Sequence, residues 1–372
     1  MSRGIYFGDS NSIARKVKKL YFGDTNSKAR KVKKVYFGDS NGKARLCFRS
    51  GLSMLSNVGQ LDYINYSNTC SKVGNYMLHA PAYNDVKTLN KDWVVGTATN
   101  FTYNRRGYNG SWNQSYALFC GGNGDYNSTD IDAYDSSLVK NSTAKLGIGR
   151  GGIRGGNIGN YAMTVGGFSG WGGSGSTVAR YELFDNSLVR VVNQYNSGLN
   201  KNGIGAAKAG NYMVLAGGLY SSGDTNIAQS TVATINTSGV LGSATSLPQA
   251  ITSVKGASSK NHAFFMTTQG KTNVYVYSGS LVLTTLPVEN NYEGAANFIE
   301  LGDDAVLFGS GNIGSAVYSD DVVTYDDNLV RNISEDVSLV TPKSAPSAFN
   351  FNDSGVVVYN SNGIHITAVY QN

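Results

Sequence analysis

The sequence predicts an all-β protein, a seven-bladed β-propeller preceded by a small repetitive segment of β-hairpins. Three observations predict it: the composition, a repeat along the body of the chain, and a shorter repeat before that body. Glycine (46 residues) and tyrosine (24 residues) are abundant among the 372 residues, while proline (5 residues) and charged residues (15%) are scarce. No stretch after Ser50 has the apolar spacing of a surface helix, so we expect very little helix.

An apolar stretch recurs seven times in the body of the chain, at spacings of 40, 45, 51, 50, 42 and 51 residues. A period of about 40–50 residues in a β-rich sequence is typical of propeller blades, each of which is a four-stranded sheet. Seven repeats therefore predict seven blades. The stretches are NYMLHA from Asn75, SYALFCGG from Ser115, NYAMTVGG from Asn160, NYMVLAGG from Asn211, NHAFFMTT from Asn261, DDAVLFGS from Asp303 and SGVVVYNS from Ser354.

A tight polar turn follows each of the first six apolar stretches. In YDSSLV, from Tyr134, an aromatic residue, a short Asp/Ser turn and apolar residues follow one another, which is the chemistry of a hairpin. Each period is therefore predicted to hold an inner strand, the apolar strand, a loop, a third strand, the tight turn and an outer strand. The other turns are LNKDWV (Leu89), FDNSLV (Phe184), INTSGV (Ile235), YSGSLV (Tyr277) and YDDNLV (Tyr325).

The seventh repeat ends at GIHITAVYQN, which leaves no room for an outer strand. A propeller closes its ring when a strand from one terminus completes the last blade. The stretch GLSMLSNVGQL, residues 51–61, has no other evident role, so we expect a strand near 51–61 to close the ring. We divide the chain into an anchoring segment, residues 1–49, and a propeller, residues 50–372.

An apolar strand that ends in Gly-Gly and is followed by a YxxYDxxL-like strand resembles the Kelch repeat. The resemblance implies a Kelch-like propeller. Three repeats carry the glycine pair, at Gly121-Gly122, Gly166-Gly167 and Gly217-Gly218. The later repeats depart from it, because Thr267-Thr268, Gly309-Ser310 and Asn360-Ser361 stand in its place, and Trp93 is the one candidate for the Kelch tryptophan.

The histidine content argues against the enzymes found among such propellers. Kelch-like propellers include copper oxidases, whose chemistry needs several imidazole and phenolate ligands at one metal. This chain has three histidines, His79, His262 and His365, and each is interpreted as filling a strand position. Sialidase boxes, nucleophile elbows, P-loops and zinc spacings are also missing from the sequence. We therefore predict that the protein is not an enzyme and binds no metal or cofactor.

The loops after the apolar strands are long, rich in glycine and carry single aromatic residues. Equivalent loops of a propeller gather on one face, and aromatic rings beside Asp, Asn and Ser suit a sugar-binding surface. The alternative interpretation is that these rings only cover blade edges. The candidate ligand-binding residues are Tyr83, Tyr126, Trp171, Tyr220 and Tyr318, with Phe168 beside Trp171.

The first 49 residues are strongly basic. They carry thirteen Lys/Arg against three Asp, a net charge of +10, so −4 of the total of +6 falls on the rest of the chain. The unit YFGDSNSIARKVKKL from Tyr6 returns twice as near copies, and each copy is predicted to form a strand, a turn and a strand of one meander. We favour docking on an acidic protein surface over nucleic-acid binding or a solvated face. The docking residues are Arg15, Lys16, Lys18, Lys19, Arg30, Lys31, Lys33 and Lys34.

The ARKVKK motifs, at 14–19 and 29–34, are similar to repeats in bacteriophage and prophage virion proteins. The resemblance covers about the first 48 residues. It implies a virion appendage, such as a fibre or receptor-binding protein, that docks through its basic segment and binds a host-surface glycan or protein through an outward propeller. The alternative is a head-fibre or decoration protein without a ligand. We expect a homo-oligomer on the virion, assembled in the host cytoplasm, with neither a membrane span nor a secretion signal.

Overall fold

A computed structural model describes the protein over most of the propeller and over short strands before it. The structure describes residues 6–8, 14–16, 21–23, 29–31, 34–38, 44–49, 52–61, 69–80, 84–103, 108–122, 128–170, 176–222, 225–267, 273–287, 297–312, 317–338, 347–351, 354–360 and 364–371.

The basic segment forms three separate two-stranded antiparallel hairpins, β1–β2, β3–β4 and β5–β6. The prediction of one continuous meander is therefore wrong, because each strand pairs only within its own repeat. The predicted turn at Asn41-Gly42 lies outside the described residues. The strands are β1 (Tyr6–Gly8), β2 (Ala14–Lys16), β3 (Tyr21–Gly23), β4 (Ala29–Lys31), β5 (Lys34–Gly38) and β6 (Ala44–Arg49).

The body of the chain is built from strands, as predicted. A 3₁₀ turn, Ser197–Leu199, is the one helical element among the described residues, and none of the described helices is long and apolar enough to cross a membrane. The strands of the first three blades, with β7 before them, are β7 (Leu52–Leu61), β8 (Thr69–Val73), β9 (Tyr76–Ala80), β10 (Lys87–Asn90), β11 (Val95–Thr97), β12 (Asn109–Trp112), β13 (Ala117–Cys120), β14 (Ile131–Tyr134), β15 (Lys140–Asn141), β16 (Arg154–Ile158), β17 (Tyr161–Val165), β18 (Phe168–Ser169), β19 (Ser176–Thr177), β20 (Arg180–Phe184) and β21 (Arg190–Tyr195).

The second half of the body repeats the same pattern. Its strands are β22 (Gly205–Ala209), β23 (Tyr212–Ala216), β24 (Leu219–Ser222), β25 (Thr225–Ala228), β26 (Val232–Asn236), β27 (Leu241–Ser243), β28 (Val254–Ser258), β29 (His262–Thr267), β30 (Asn273–Ser278), β31 (Leu283–Pro287), β32 (Asn297–Leu301), β33 (Asp304–Asn312), β34 (Val317–Tyr325), β35 (Arg331–Ser338), β36 (Ser347–Phe351), β37 (Ser354–Asn360) and β38 (Ile364–Gln371).

These strands form an all-β propeller, which confirms the predicted fold class. Six blades are antiparallel four-stranded sheets whose strands follow one another in sequence, apart from small hairpins inserted in the third and fourth blades. The blades have the orders β8-β9-β10-β11, β12-β13-β14-β15, β16-β17-β20-β21, β22-β23-β26-β27, β28-β29-β30-β31 and β32-β33-β34-β35.

The seventh repeat does not form a blade from its own strands, so the described chain has six such blades and the prediction of seven blades is wrong. The predicted strand near 51–61 does complete the sheet of this last repeat. The repeat supplies three strands, β36 to β38, and β7 pairs antiparallel with β38 as the fourth strand of that sheet. The innermost strand β36 packs between β32 and β8, so this antiparallel sheet lies between the last and the first of the six blades. The strand β7 comes from the beginning of the propeller and is the outer strand of this sheet. It therefore pairs with the edge of β38 that would otherwise be free.

Apolar side chains between adjacent blades form the core. Each cluster takes residues from two neighbouring sheets, because both faces of a propeller blade are covered. Between the fifth and sixth blades, for example, Phe264 packs on Phe298 and Tyr325 with ring centroids 6.1 and 5.6 Å apart. Met77 and Leu89 of the first blade share a smaller cluster with Phe351 of β36.

The Gly-Gly pairs hold one blade to the next. The second glycines have φ of 114°, 101° and 106°, a region that only glycine adopts readily. Their amides donate to carbonyls that lie just before the next inner strand, at 2.9–3.1 Å. The glycine pair noted in the sequence is thus a connection between blades. The bonds run from Gly122, Gly167 and Gly218 to Arg150, Lys201 and Ile251.

The predicted tight turns are present between the third and outer strands. In the second blade, the Asp135 carboxylate accepts from the amides of Ser137 and Val139 at 2.8 and 2.9 Å. Leu138 takes φ 62°, which is strained for a leucine. The same position in the third blade, Leu188, is 7% exposed within the core between blades, and this burial offsets the strain.

Candidate functional site

A cavity of about 380 Å³ lies at one end of the propeller axis. Its walls come from the beginnings of the inner strands of the first five blades and from the loops that lead into them. The volume is in the range of small-molecule sites. The lining residues are Thr69, Tyr108, Asn109, Gly152, Ile153, Arg154, Phe168, Asn202, Gly203, Ile204, Ser253, Val254 and Lys255.

One register position of the inner strand supplies both charged groups of the cavity. In each of the first five blades one inner-strand residue pairs with the residue four places after the Tyr or His that begins the apolar motif of the next strand. We call these residues the mouth set. They are Thr69, Asn109, Arg154, Gly205 and Lys255, in the first to fifth blades.

The inner strands approach one another closely just below the mouth set. A Cβ added to Gly110 would lie 1.9 Å from the carbonyl oxygen of Cys70, and one added to Gly155 would lie 2.0 Å from that of Gly110. These three residues hold one register position in successive blades. Only glycine permits such an approach of backbone to backbone, and it brings the mouth residues of neighbouring blades together.

Arg154 and Lys255 place two positive charges in the cavity wall. Burial and the Arg154 charge lower the pKa of Lys255 to about 8, and burial lowers the pKa of Arg154 as well. Among the described residues, the buried Arg154 Nε has no hydrogen-bond partner. Within the described part of the chain, no carboxylate forms an ion pair with either side chain.

The remaining wall is partly apolar, and three of its residues have positive φ. Phe168 is half-buried, and its ring lies where a side chain on Gly152 would be, with the nearest ring carbon 2.7 Å from an added Cβ. Gly152 and Gly203 have φ 60° and 58° in the loops before the third and fourth inner strands. Ser253 takes φ 50° at the same place before the fifth, which is strained for a serine.

A second set of polar residues lies three positions further along the same strands, about 10 Å away. We call it the floor set. The Lys208 ammonium donates to the Asn157 side chain at 2.7 Å, and the Lys208 amide donates to the Ser258 hydroxyl at 2.7 Å. Lys72 lies 5.3 Å from the centre of the Trp112 ring. The sixth blade contributes Glu300.

Charges in the floor set compensate one another. Burial raises the pKa of Glu300, and the charges of Lys208 and Lys72 oppose that rise. Burial also lowers the pKa of Lys208, and Glu300 opposes that change. The floor set is therefore a balanced polar layer, in contrast to the mouth set.

The aromatic residues predicted to bind a ligand do not meet in this cavity. Tyr220 lies half-buried in β24, outside the lining residues, and Tyr318 lies in β34, where only the backbone is described. Tyr83, Tyr126 and Trp171 lie outside the described residues. Phe168, noted beside Trp171, does line the cavity.

The predicted docking residues fall in and between the N-terminal hairpins. Arg15 and Lys16 lie in β2, Arg30 and Lys31 in β4, and Lys34 at the start of β5, while Lys18, Lys19 and Lys33 lie outside the described residues. The docking role of these side chains stays a prediction.

The histidines lie in strands, as their interpretation as strand residues predicts. His79 is 1% exposed in β9, and burial lowers its pKa to about 4. The Nδ1 of His262 lies 3.0 Å from the Asp327 carboxylate. His365 lies in β38. Among the described residues, no three His, Cys, Asp or Glu side chains come together as a metal site would require.

Sequence reasoning missed Arg154 and Lys255. The signal was present in the inner strands, where IRGG from Ile153 and VKGA from Val254 share an apolar residue, a cation and small residues. Aligning the inner strands, instead of the more obvious apolar strands, would have placed both cations at one position. That no described carboxylate pairs with either cation was visible only in the folded structure.

Comparison with known proteins identifies the fold and no family. No protein-family model and no curated protein matches the chain. Similar solved structures include YjhT, at 12% identity and TM-score 0.52, covering 83% of this chain and 95% of that one. A virginiamycin B lyase from Staphylococcus aureus has 10% identity and TM-score 0.56, covering 87% and 99%. A streptogramin B lyase has 10% identity and TM-score 0.57, covering 86% and 98%.

These neighbours overturn the predicted virion function, both as an appendage that binds a host ligand and as a decoration protein. Those whose names state an activity are lyases, and none of the three is named as a virion component. The prediction that the protein is not an enzyme is wrong for the same reason. A missing motif is weak grounds against an enzyme in this fold, because a propeller site is assembled from single residues of different blades. At this identity the likeness itself shows the fold alone.

Proposed function

We propose that the protein is an enzyme that acts on a small molecule in the axial cavity by proton transfer, with Lys255 as the acid–base group. One observation carries the proposal: a lysine with a pKa lowered to about 8 lies in a cavity wall beside a guanidinium. An ordinary lysine is almost wholly protonated at neutral pH, whereas about a tenth of an amine with such a pKa is free base at pH 7. Perturbed groups in clefts are typical of catalytic sites.

The lyase names of two structural neighbours favour an elimination. In such a reaction the neutral Lys255 amine takes a proton from a substrate C–H group, and the electron pair of that bond forms the new double bond. The leaving group departs with its own electron pair. The Lys255 ammonium then returns the proton to it, which restores the amine without any further reactant.

Replacing Lys255 by arginine tests the proposal, because it keeps the positive charge and removes the titration near neutral pH. The wild type and Lys255→Arg are incubated with a cell extract supplemented with streptogramin B, and compounds consumed are followed by mass spectrometry. We expect turnover of at least one compound to fall about 100-fold or more in Lys255→Arg. Lys260→Arg is the control, since Lys260 is exposed just beyond the far end of the same strand.

Two outcomes would contradict acid–base catalysis by Lys255. In the first, the wild type consumes a compound and Lys255→Arg consumes it at the same rate. In the second, no compound is consumed by the wild type. Unfolding curves of the three proteins, recorded alongside, separate a lost reaction from a lost fold.

A further inference from the structure

We propose that the cavity binds a small amphipathic anion, with an oxyanion group held between Arg154 and Lys255 and an apolar body against Phe168. This inference rests on the proposed function, since it names the chemical class of the substrate for the same cavity. An oxyanion here means a carboxylate or a phosphate, which share their recognition by a guanidinium fork and an ammonium.

The charges of the cavity wall indicate that the ligand is an anion. Two like charges in a partly desolvated wall repel each other, and this repulsion destabilises the folded protein. An opposite charge between them would offset the repulsion. Among the described lining residues, the titratable or charged groups are Arg154, Lys255 and Tyr108. The Tyr108 hydroxyl donates to the carbonyl of Ala80 at 3.0 Å and carries no negative charge. The described lining residues therefore supply no opposite charge, and an anionic ligand would supply it.

The geometry of the inner strands indicates where the oxyanion would bind. Arg154 and Lys255 hold the same register position in the third and fifth blades, and the fourth blade has Gly205 at that position. The position between the two cations therefore has no side chain of its own, and the apolar Val254 side chain fills the space there, 2.5 Å from an added Cβ. The buried Arg154 Nε, which has no partner among the described residues, adds a donor at the same place. Thr69 and Asn109 continue the polar arc in the first and second blades.

The rest of the wall indicates that the anion has an apolar body. Phe168, Ile153 and Val254 line the cavity beside the cations. A volume of about 380 Å³ exceeds the needs of an inorganic ion and suits a molecule with a body attached to its charged group. An aromatic ring such as that of Phe168 packs well on an apolar or aromatic body.

Calorimetric titration with three probes tests the inference. Benzoate and phenyl phosphate present the two oxyanions on a small apolar ring, and benzamide is the neutral counterpart of benzoate. We expect at least one anion to bind the wild type at least 10-fold more tightly than benzamide. Arg154→Met and Lys255→Met should each weaken that anion at least 10-fold, and the control Lys260→Met should leave its affinity unchanged. Whichever anion binds more tightly identifies the oxyanion.

Proton uptake gives a second readout that a merely structural role would not produce. A bound anion favours the charged form of Lys255, so binding at pH 8 should take up a fraction of a proton. The complexes that react are then those in which Lys255 stays neutral and Arg154 alone holds the oxyanion. Titration in two buffers with different ionisation heats measures that uptake. It should vanish in Lys255→Met and persist in Lys260→Met. Affinity should fall as the pH rises above 8, because Lys255 then loses its charge.

The outcomes separate this inference from the proposed function. Equal binding of benzamide and benzoate, or no binding of any anion, overturns the anionic ligand while Lys255-dependent turnover in the extract still stands. Anion binding without Lys255-dependent turnover supports the ligand class and overturns the acid–base role. Loss of binding in Lys260→Met as well as in the two cavity variants also overturns the inference.

Discussion

The two ends of the propeller axis both carry buried or half-buried cations, and they differ in whether the protein supplies an opposite charge. The floor set joins lysines from the first and fourth blades with a glutamate from the sixth and an amide from the third. The mouth set also holds two cations, and no described carboxylate reaches them. Charges that are compensated within the protein stabilise its fold, whereas charges left uncompensated in a cavity are available to a ligand.

The largest expected effect comes from the floor. Lys208→Met removes the donor of the 2.7 Å bond to Asn157 and the charge that opposes the burial of Glu300. We expect the free energy of unfolding to fall by about 2–3 kcal/mol, because a partly buried carboxylate and an amide oxygen each lose a partner. Urea unfolding measures it, with Lys255→Met as the matched variant at the mouth. Equal losses in both variants would erase the distinction between the two ends.

At the mouth, removing the lysine should raise the free energy of unfolding instead of lowering it. Lys255 has a pKa of about 8 when folded and 10.5 as its ordinary value, so the unfolded chain binds more protons between these pH values. Stability from this group is therefore lowest below pH 8 and rises as the pH increases towards 10.5. We expect Lys255→Met to be about 1–2 kcal/mol more stable than the wild type at pH 7, the full shift being reduced because the side chain is partly exposed.

Urea unfolding of both proteins at pH 7 and pH 10 tests this sign. The advantage of Lys255→Met should shrink at pH 10. A constant difference between the two proteins at both pH values would show that the charge of Lys255 is compensated, and the contrast between mouth and floor would then fail.

The smallest expected effect concerns Asp327, in a turn at the floor end. Its carboxylate accepts from Ser259, Asn261 and His262 at 2.6–3.0 Å. Burial raises its pKa and these bonds lower it, to about 2 overall. Because the folded pKa lies below the ordinary value, the contribution is present above about pH 4 and is lost as the pH falls towards 2.

We expect Asp327→Ala to cost about 1 kcal/mol at pH 6, since the carboxylate is partly exposed, and clearly less at pH 2. Acid unfolding curves of the two proteins measure this difference. If the difference in the free energy of unfolding between the two proteins stays the same down to pH 2, the effect comes from packing and not from the charge of Asp327.

Much of the fold was predictable because each repeat carries local signals. Turns such as that at Asp135 follow from a side chain that binds its own backbone, and the blade period follows from recurring apolar strands. The strand near 51–61 was also predictable, because the last repeat is one strand short, and β7 does pair with β38 there. The prediction of seven blades failed, because six repeats of the described chain form a blade from their own consecutive strands and the last one does not. Prediction also failed for function, which was inferred from the basic repeats and from missing motifs.

The sequence by itself determined the all-β class, the repeat, the tight turns and the Gly-Gly pairs, because each depends on neighbours a few residues apart. Only the tertiary structure decided that Arg154 and Lys255, which belong to different repeats, line one cavity. The close approach of inner strands at Gly110 and Gly155 brings successive blades around one axis. Whether a charge at that axis is compensated depends on the residues of several blades together, and no single repeat contains that information.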